Sequence, residues 1–225
     1  MDLPDTIKEQ FEQLSYALTH AHTRWRIYKQ LYVEEPEKRI KLLNRMAPAF
    51  FGVLQHTLID HVIMSIGRMA DRTETAGQAN LCIERLVSSL GESETETDEL
   101  FLGTVRDKAQ IFEENARLFK QHRHKRIAHS DLEVSLKIAA EPLPGVTPAM
   151  VDTTLAAAAA VLNEVQSHYD SSETMYEHVT MQGDASSIVH RLREALAYER
   201  HARIGTIPAW IIETDDPAIA ESEPE

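Results

Sequence analysis

Residues 40–69, IKLLNRMAPAFFGVLQHTLIDHVIMSIGRM, decide the fold. Ile40, Leu43, Met46, Ala47, Phe50, Phe51, Leu54, Leu58, Val62, Ile66 and Met69 step by three or four throughout, the spacing of one face of an α-helix. Pro48 lacks an amide hydrogen and crowds the turn before it, so the helix is expected to kink or restart there. The apolar positions cover a wide arc, which places this helix at the centre of a bundle.

Other helices follow on either side. Upstream, Thr6 and Glu9 have capping-box spacing. Phe11, Leu14, Leu18, Trp25, Ile27 and Leu31 then recur at helical intervals until Pro36 interrupts. Downstream, Asp71–Asn80 reads as a polar loop, Leu81–Leu90 as a short helix and Gly91–Glu99 as an acidic turn. Leu100 to about Gln121 forms a long amphipathic helix through Phe101, Val105, Ala109, Phe112, Ala116 and Phe119. Leu132–Ala140 alternates loosely and is expected to be extended. Thr147 or Pro148 opens a helix that runs through the alanines at 156–160 to about Tyr169, and a last helix covers roughly Ala185–His201. Long helices with short connections imply an all-α, antiparallel bundle of four or five. A single domain spanning 1–212 is expected, followed by an acidic, proline-containing tail at 213–225 expected to be disordered.

Composition agrees. The 225 residues are 43% hydrophobic but only 6% aromatic, with 8 glycines, which favours helices over sheets. No continuous apolar run approaches the length of a membrane span, and an N-terminus without a basic flank or apolar core is expected to hold no signal peptide. The single Cys82 forms no internal disulfide and falls in an apolar helical pattern, so it reads as a core residue in a protein of the reducing cytoplasm. The net charge of −13 argues against coating nucleic acid by bulk charge; any such contact is confined to a patch.

One stretch supplies that patch. Gln121–Asp131, QHRHKRIAHSD, gathers three histidines, two arginines and a lysine. A cation cluster on an anionic chain implies an anionic ligand, and phosphate is the commonest. Arg123 and His129 pair a permanent cation with a group that exchanges a proton near neutral pH, which suits phosphodiester cleavage without a metal.

An Arg followed by a polar residue and, a few positions on, a His, between two bundle helices, resembles the HEPN superfamily. Arg123-His124-Lys125-Arg126-Ile127-Ala128-His129 fits its Arg-x(4–6)-His signature. The companion segments are similar to its abortive-infection U-type branch: Phe50-Phe51, Ser65-Ile66-Gly67-Arg68-Met69-Ala70-Asp71, Asn80-Leu81 and Lys125–Asp131. The similarity extends over most of residues 10–180. The resemblance implies a helical bundle that dimerises and a metal-independent endoribonuclease acting as a toxin or in phage defence. It needs no cofactor. Its partners would be RNA, a second copy, and an antitoxin or regulatory protein, with no membrane. Arg123 would clamp the phosphate and His129 would move the proton. His124 would be a second proton carrier, with Lys125 and Arg126 on flanking phosphates. Where some members carry a modifiable Tyr two positions after the His, this chain has Asp131. Asp131 or Ser130 would instead orient His129 or cap the next element.

Geometry constrains this. Six positions along an unbroken helix turn a side chain by roughly 600°, leaving Arg123 and His129 about 120° apart. Either the helix breaks inside the cluster, or two protomers assemble the site across a two-fold axis; the second is the expectation.

Other readings stand beside it. The module could bind nucleotide, RNA or protein without catalysis, its cations only favouring the carbonyl-rich end of a helix. His56, Asp60 and His61, with His20 and His22, are metal-ligand types, but a metal site needs three or four to converge, and capped or partly buried histidines are the simpler reading. Arg68 and Asp71 could brace the end of their helix or face RNA. Trp25, Tyr28 and Tyr32 are expected to pack rather than stack on bases.

Overall fold

The computed structural model describes residues 3, 5–93, 99–124 and 144–206. Among them are seven α-helices: α1 (Asp5–Tyr28), α2 (Pro36–Met46), α3 (Pro48–Met69), α4 (Ile83–Ser93), α5 (Glu99–His122), α6 (Pro148–Asp170) and α7 (Ala185–Arg203). A single π-helical turn, Lys29–Val33, prolongs α1.

Prolines start three of the helices, where the first amide would lack an intrahelical partner anyway. Pro36 opens α2 after Glu35 reverses the chain at φ 45°. Pro48 opens α3 after an extended Ala47, so the apolar stretch restarts rather than kinks. Pro148 opens α6, where the Thr147 hydroxyl accepts from the Met150 amide at 3.3 Å. Asp184 caps α7 in the same way, accepting from the Ser187 amide at 3.2 Å.

α1, α3, α5 and α6 pack around the main core, and α4 lies against α1 and α5. Leu18, Val62, Ile66, Val105, Phe119 and Leu155 are fully enclosed there. A second cluster joins α2, the π-helical turn, the start of α3 and α7 through Leu31, Tyr32, Leu43, Phe51 and Val189. In it the Tyr32 hydroxyl donates to the Phe51 carbonyl at 2.8 Å, and burial with Tyr28 nearby pushes its pKa up to about 12. Trp25 stacks on Tyr28, which meets Tyr32 at a tilt, with centroids 5.2 and 5.1 Å apart, and the Trp25 indole ties α1 to α6 through Asp152 at 2.7 Å. Cys82 is buried, and burial pushes its thiol up, as befits a core residue.

Two expectations need correction. Asp71–Asn80 is not only loop: Glu74–Thr75 and Gln78–Ala79 form a small antiparallel hairpin (β1, β2), because Ala76 and Gly77 both take positive φ, 52° and 77°, as such a turn demands. And α3 is central only in part. Val62, Ile63, Ile66 and Met69 lie in the main core, whereas Phe50 and Val53 on the first turns are 62% and 68% exposed. By length and composition α3 could cross a membrane, which is weak grounds for a helix whose second half is bundle core. The expected extended segment at 132–140 lies outside the described residues, as does the acidic tail.

Candidate functional site

The site begins where α5 ends. α5 is amphipathic down to Phe119 and His122, both buried, and the α-helix stops at His122, inside the cation cluster. Arg123 and His124 continue it as a π-helical turn, so the regular α-helical spacing on which the 120° separation rests ends at His122. His122 shares a hydrogen bond of 2.7 Å with the carbonyl of Pro144, just before α6. A carbonyl only accepts, so the Nε2 of His122 donates, and this bond draws the two ends of segment 125–143 together. The Nδ1 of His122 is buried with no partner among the described residues.

Arg123 turns back onto α3. Its Nη1 donates to the Gly67 carbonyl at 3.0 Å and to the Asp71 carboxylate at 2.5 Å. Both partners of this ion pair are about one-quarter exposed, so water screens the pair only partly. Nη1 carries two hydrogens, and these two bonds use both. Nε and Nη2 hold three more, which make no hydrogen bond among the described residues. A guanidinium held through one nitrogen, with its remaining N–H groups unbonded among the described residues, suits a planar anion.

Gly67 makes this approach possible. A β-carbon there would lie 2.7 Å from the Cδ of Arg123, closer than atoms can approach. A glycine inside a helix costs roughly 1 kcal/mol against alanine, and here the cost admits an arginine side chain. The segment Ser65–Asp71 is thus the receptor of Arg123. Asp71 braces Arg123 across 52 residues of sequence rather than Arg68, which points outward. The sequence marked Asp71 as a brace or an RNA-facing group but set it beside Arg68, and it gave Gly67 and His122 no role of their own. A lone glycine in an otherwise apolar helical pattern was the available signal.

His124 is exposed and lines a hollow of about 570 Å³ with Glu113, Glu114, Arg117 and Lys120. A second hollow, about 590 Å³, shares Gln110, Glu113 and Lys120 with the first and reaches Asp71, Arg72 and Arg106. The walls mix both signs of charge, so Arg123 owes its role to placement rather than to a broad positive field. Lys125, Arg126, His129, Ser130 and Asp131 lie outside the described residues. Of the expected set, the structure brings Arg123 and His124 to one helix end and adds Asp71 and Gly67 beneath Arg123.

The metal-ligand types are scattered. His56 and His61 face outward on α3, His20 packs edge-on to Tyr16, and His22 is buried against Tyr176. Among the described residues no three such groups gather.

No curated protein and no solved structure matches the chain. The model of one family, described as AbiU2 of the HEPN type, matches residues 4–188, a span that takes in every element from α1 to α6 together with the cation cluster. The chain belongs to that family and is a HEPN-type abortive-infection module.

Proposed function

We propose that the protein is a metal-independent endoribonuclease of anti-phage defence, with Arg123 and His129 acting on one scissile phosphate in a site completed by a second copy. The observation that carries this reading is the held guanidinium of Arg123, with three N–H donors unbonded among the described residues and a glycine admitting its side chain. RNA cleavage through the 2′-hydroxyl needs a fixed cation where the phosphorane gathers negative charge, and a group that moves protons between oxygens. Arg123 meets the first need without reorganising, because Gly67 and Asp71 already fix its approach. His129 would meet the second. His124, on the adjoining hollow, would serve as second proton carrier or phosphate contact, with Lys125 and Arg126 on neighbouring phosphates. Asp71 is a positioning residue in this scheme, and Asp131 would orient His129.

The exposed face of α3 supports the second copy. Phe50, Val53, Thr57, His61, Met64 and Arg68 recur on one stripe of the helix that ends at Gly67 and Asp71. Bare apolar side chains on such a stripe favour association. Where two antiparallel α3 helices cross decides whether a shared site forms. Measured along the helix axis, crossing at Thr57 would offset the two Gly67 positions by about 30 Å; crossing at Met64 would offset them by about 9 Å. A composite site requires the second.

The test is cleavage of RNA in excess chelator by wild type, Arg123→Ala and His129→Ala. Loss of at least about a hundredfold in both variants supports the reading. Cutting at the wild-type rate by either variant ends it. A HEPN module that binds RNA without cutting would instead show binding that weakens in Arg123→Ala and no product at any pH.

A further inference from the structure

A second concentration of positive charge lies at the far end of the fold from Arg123. α2 and α7 together hold eight Lys and Arg residues against three Glu, a net of +5 on a chain whose total is −13. Two hollows of about 400 and 430 Å³ run between these helices and share Arg45 and Leu196, so they form one groove. Its walls carry Lys38, Lys41 and Arg45 from α2 and Arg193, Arg200 and Arg203 from α7, over a floor that includes Leu42 and Leu196. Glu35 is the one carboxylate among the lining residues.

The pairing of these cations is loose. Arg193 and Lys38 share Glu35, at 3.1 and 3.4 Å, and hold its carboxyl below the usual range. Arg45 and Arg203 share Glu199 at 3.8 and 3.9 Å. Lys41 and Arg200 pair with no carboxylate among the described residues. Exposed ion pairs of this kind are weak and screened by water, so a phosphate can displace them. The groove cations on α7 all lie past residue 188, where the family match stops.

We propose that the α2–α7 groove is a second nucleic-acid surface, which holds the sugar-phosphate backbone of a single RNA strand without reading its sequence. Six cations against the two carboxylates they share leave a surplus of four positive charges, which matches about four phosphates. The shape favours a strand. The cations line a trough between two helices about 10–15 Å long over this stretch, whereas a membrane-binding face presents its apolar residues outward. This surface goes beyond the proposed cleavage site and does not depend on it. Only its use as a tether for a substrate rests on that reading.

The test uses the full chain and a short fluorescein-labelled single-stranded RNA, 2′-O-methylated so that attack by the 2′-oxygen cannot occur. Binding is measured by anisotropy between about 50 and 200 mM salt. The groove pair Lys41→Gln/Arg200→Gln is compared with Lys8→Gln/Arg191→Gln, which removes the same charge from exposed positions outside the groove. The groove pair is expected to raise Kd on the order of tenfold and to flatten the log–log salt slope by about 1.4, two phosphates at about 0.7 each. The control pair is expected to change Kd less than about twofold. Thermal midpoints of both pairs are expected to match wild type, because all four side chains are at the surface. Equal effects of the two pairs on RNA binding would overturn the proposal. So would binding to phosphatidylserine vesicles that depends on the groove pair while RNA binding does not.

Discussion

The two halves of α3 are both largely apolar and are covered differently. From Val62 to Met69 the helix is locked into the main core and carries Gly67, which with Asp71 just past its end seats Arg123. From Phe50 to Thr57 much of an equally apolar surface faces outward. Periodicity tells a helix which of its faces seeks cover, but not what covers it. One half is satisfied by α1 and α5. The other packs Phe51 and Leu58 into the second cluster and leaves Phe50 and Val53 exposed.

Substitutions can break this contrast. The largest effect is expected in the core half: Ile66→Ala removes a fully buried side chain and should lower the unfolding free energy by roughly 2–5 kcal/mol. Phe50→Ala, at 62% exposure, should change it by less than about 0.5 kcal/mol in dilute protein. Chemical denaturation of the two side by side checks the difference. A similar cost for both would mean that the outer half is not free.

Next comes Gly67→Ala. Its added methyl would strike the Cδ of Arg123, so overpacking of roughly 1–3 kcal/mol is expected unless Arg123 swings away. Cleavage should therefore fall more than stability does. Asp71→Asn should act in the same direction and lower kcat with little change in KM, since it loosens the clamp and removes no RNA contact.

A third pair sharpens where two copies would cross. Met64→Cys is expected to form an intermolecular disulfide under mild oxidation, while Thr57→Cys is not; non-reducing electrophoresis reads the result. The native Cys82 is buried and stays out of the assay.

The smallest effect concerns pH and α1. His22 is buried beside Tyr176, and desolvation lowers its pKa below the ordinary 6.5, opposed by Glu177. The folded chain therefore binds this proton less readily than the unfolded chain. Stability present above pH 6.5 should be lost as pH falls through that value toward the folded pKa. Thermal midpoints of wild type should drop across this window more than those of His22→Phe, which has no proton to gain.

Much of this was legible in the sequence because helices write their period into it. α3, α5, α6 and α7 run within about three residues of the spans expected from apolar spacing, since proline and capping residues mark their ends. The hairpin at Glu74–Ala79 was not legible, because two-residue strands leave no alternation to read. The site was half legible. The type and spacing of Arg123 and His124 stood out in an acidic chain, but Gly67 and Asp71 sit 56 and 52 residues from Arg123, and nothing local announces that they receive it. The α2–α7 groove was missed for the same reason. Its cations are diluted by nearby glutamates in sequence and gather only when α7 folds back onto α2.

Mixing two inactive variants tests the shared site most directly. Arg123→Ala and His129→Ala would be co-refolded or co-expressed, and RNA cleavage in chelator compared with each variant alone. If Arg123 of one copy works with His129 of the other, the mixed dimer keeps one intact pair and recovers a sizeable part of wild-type activity. If the mixture stays as inactive as its components while wild type cuts, both groups act within one chain, and the two-copy site is contradicted.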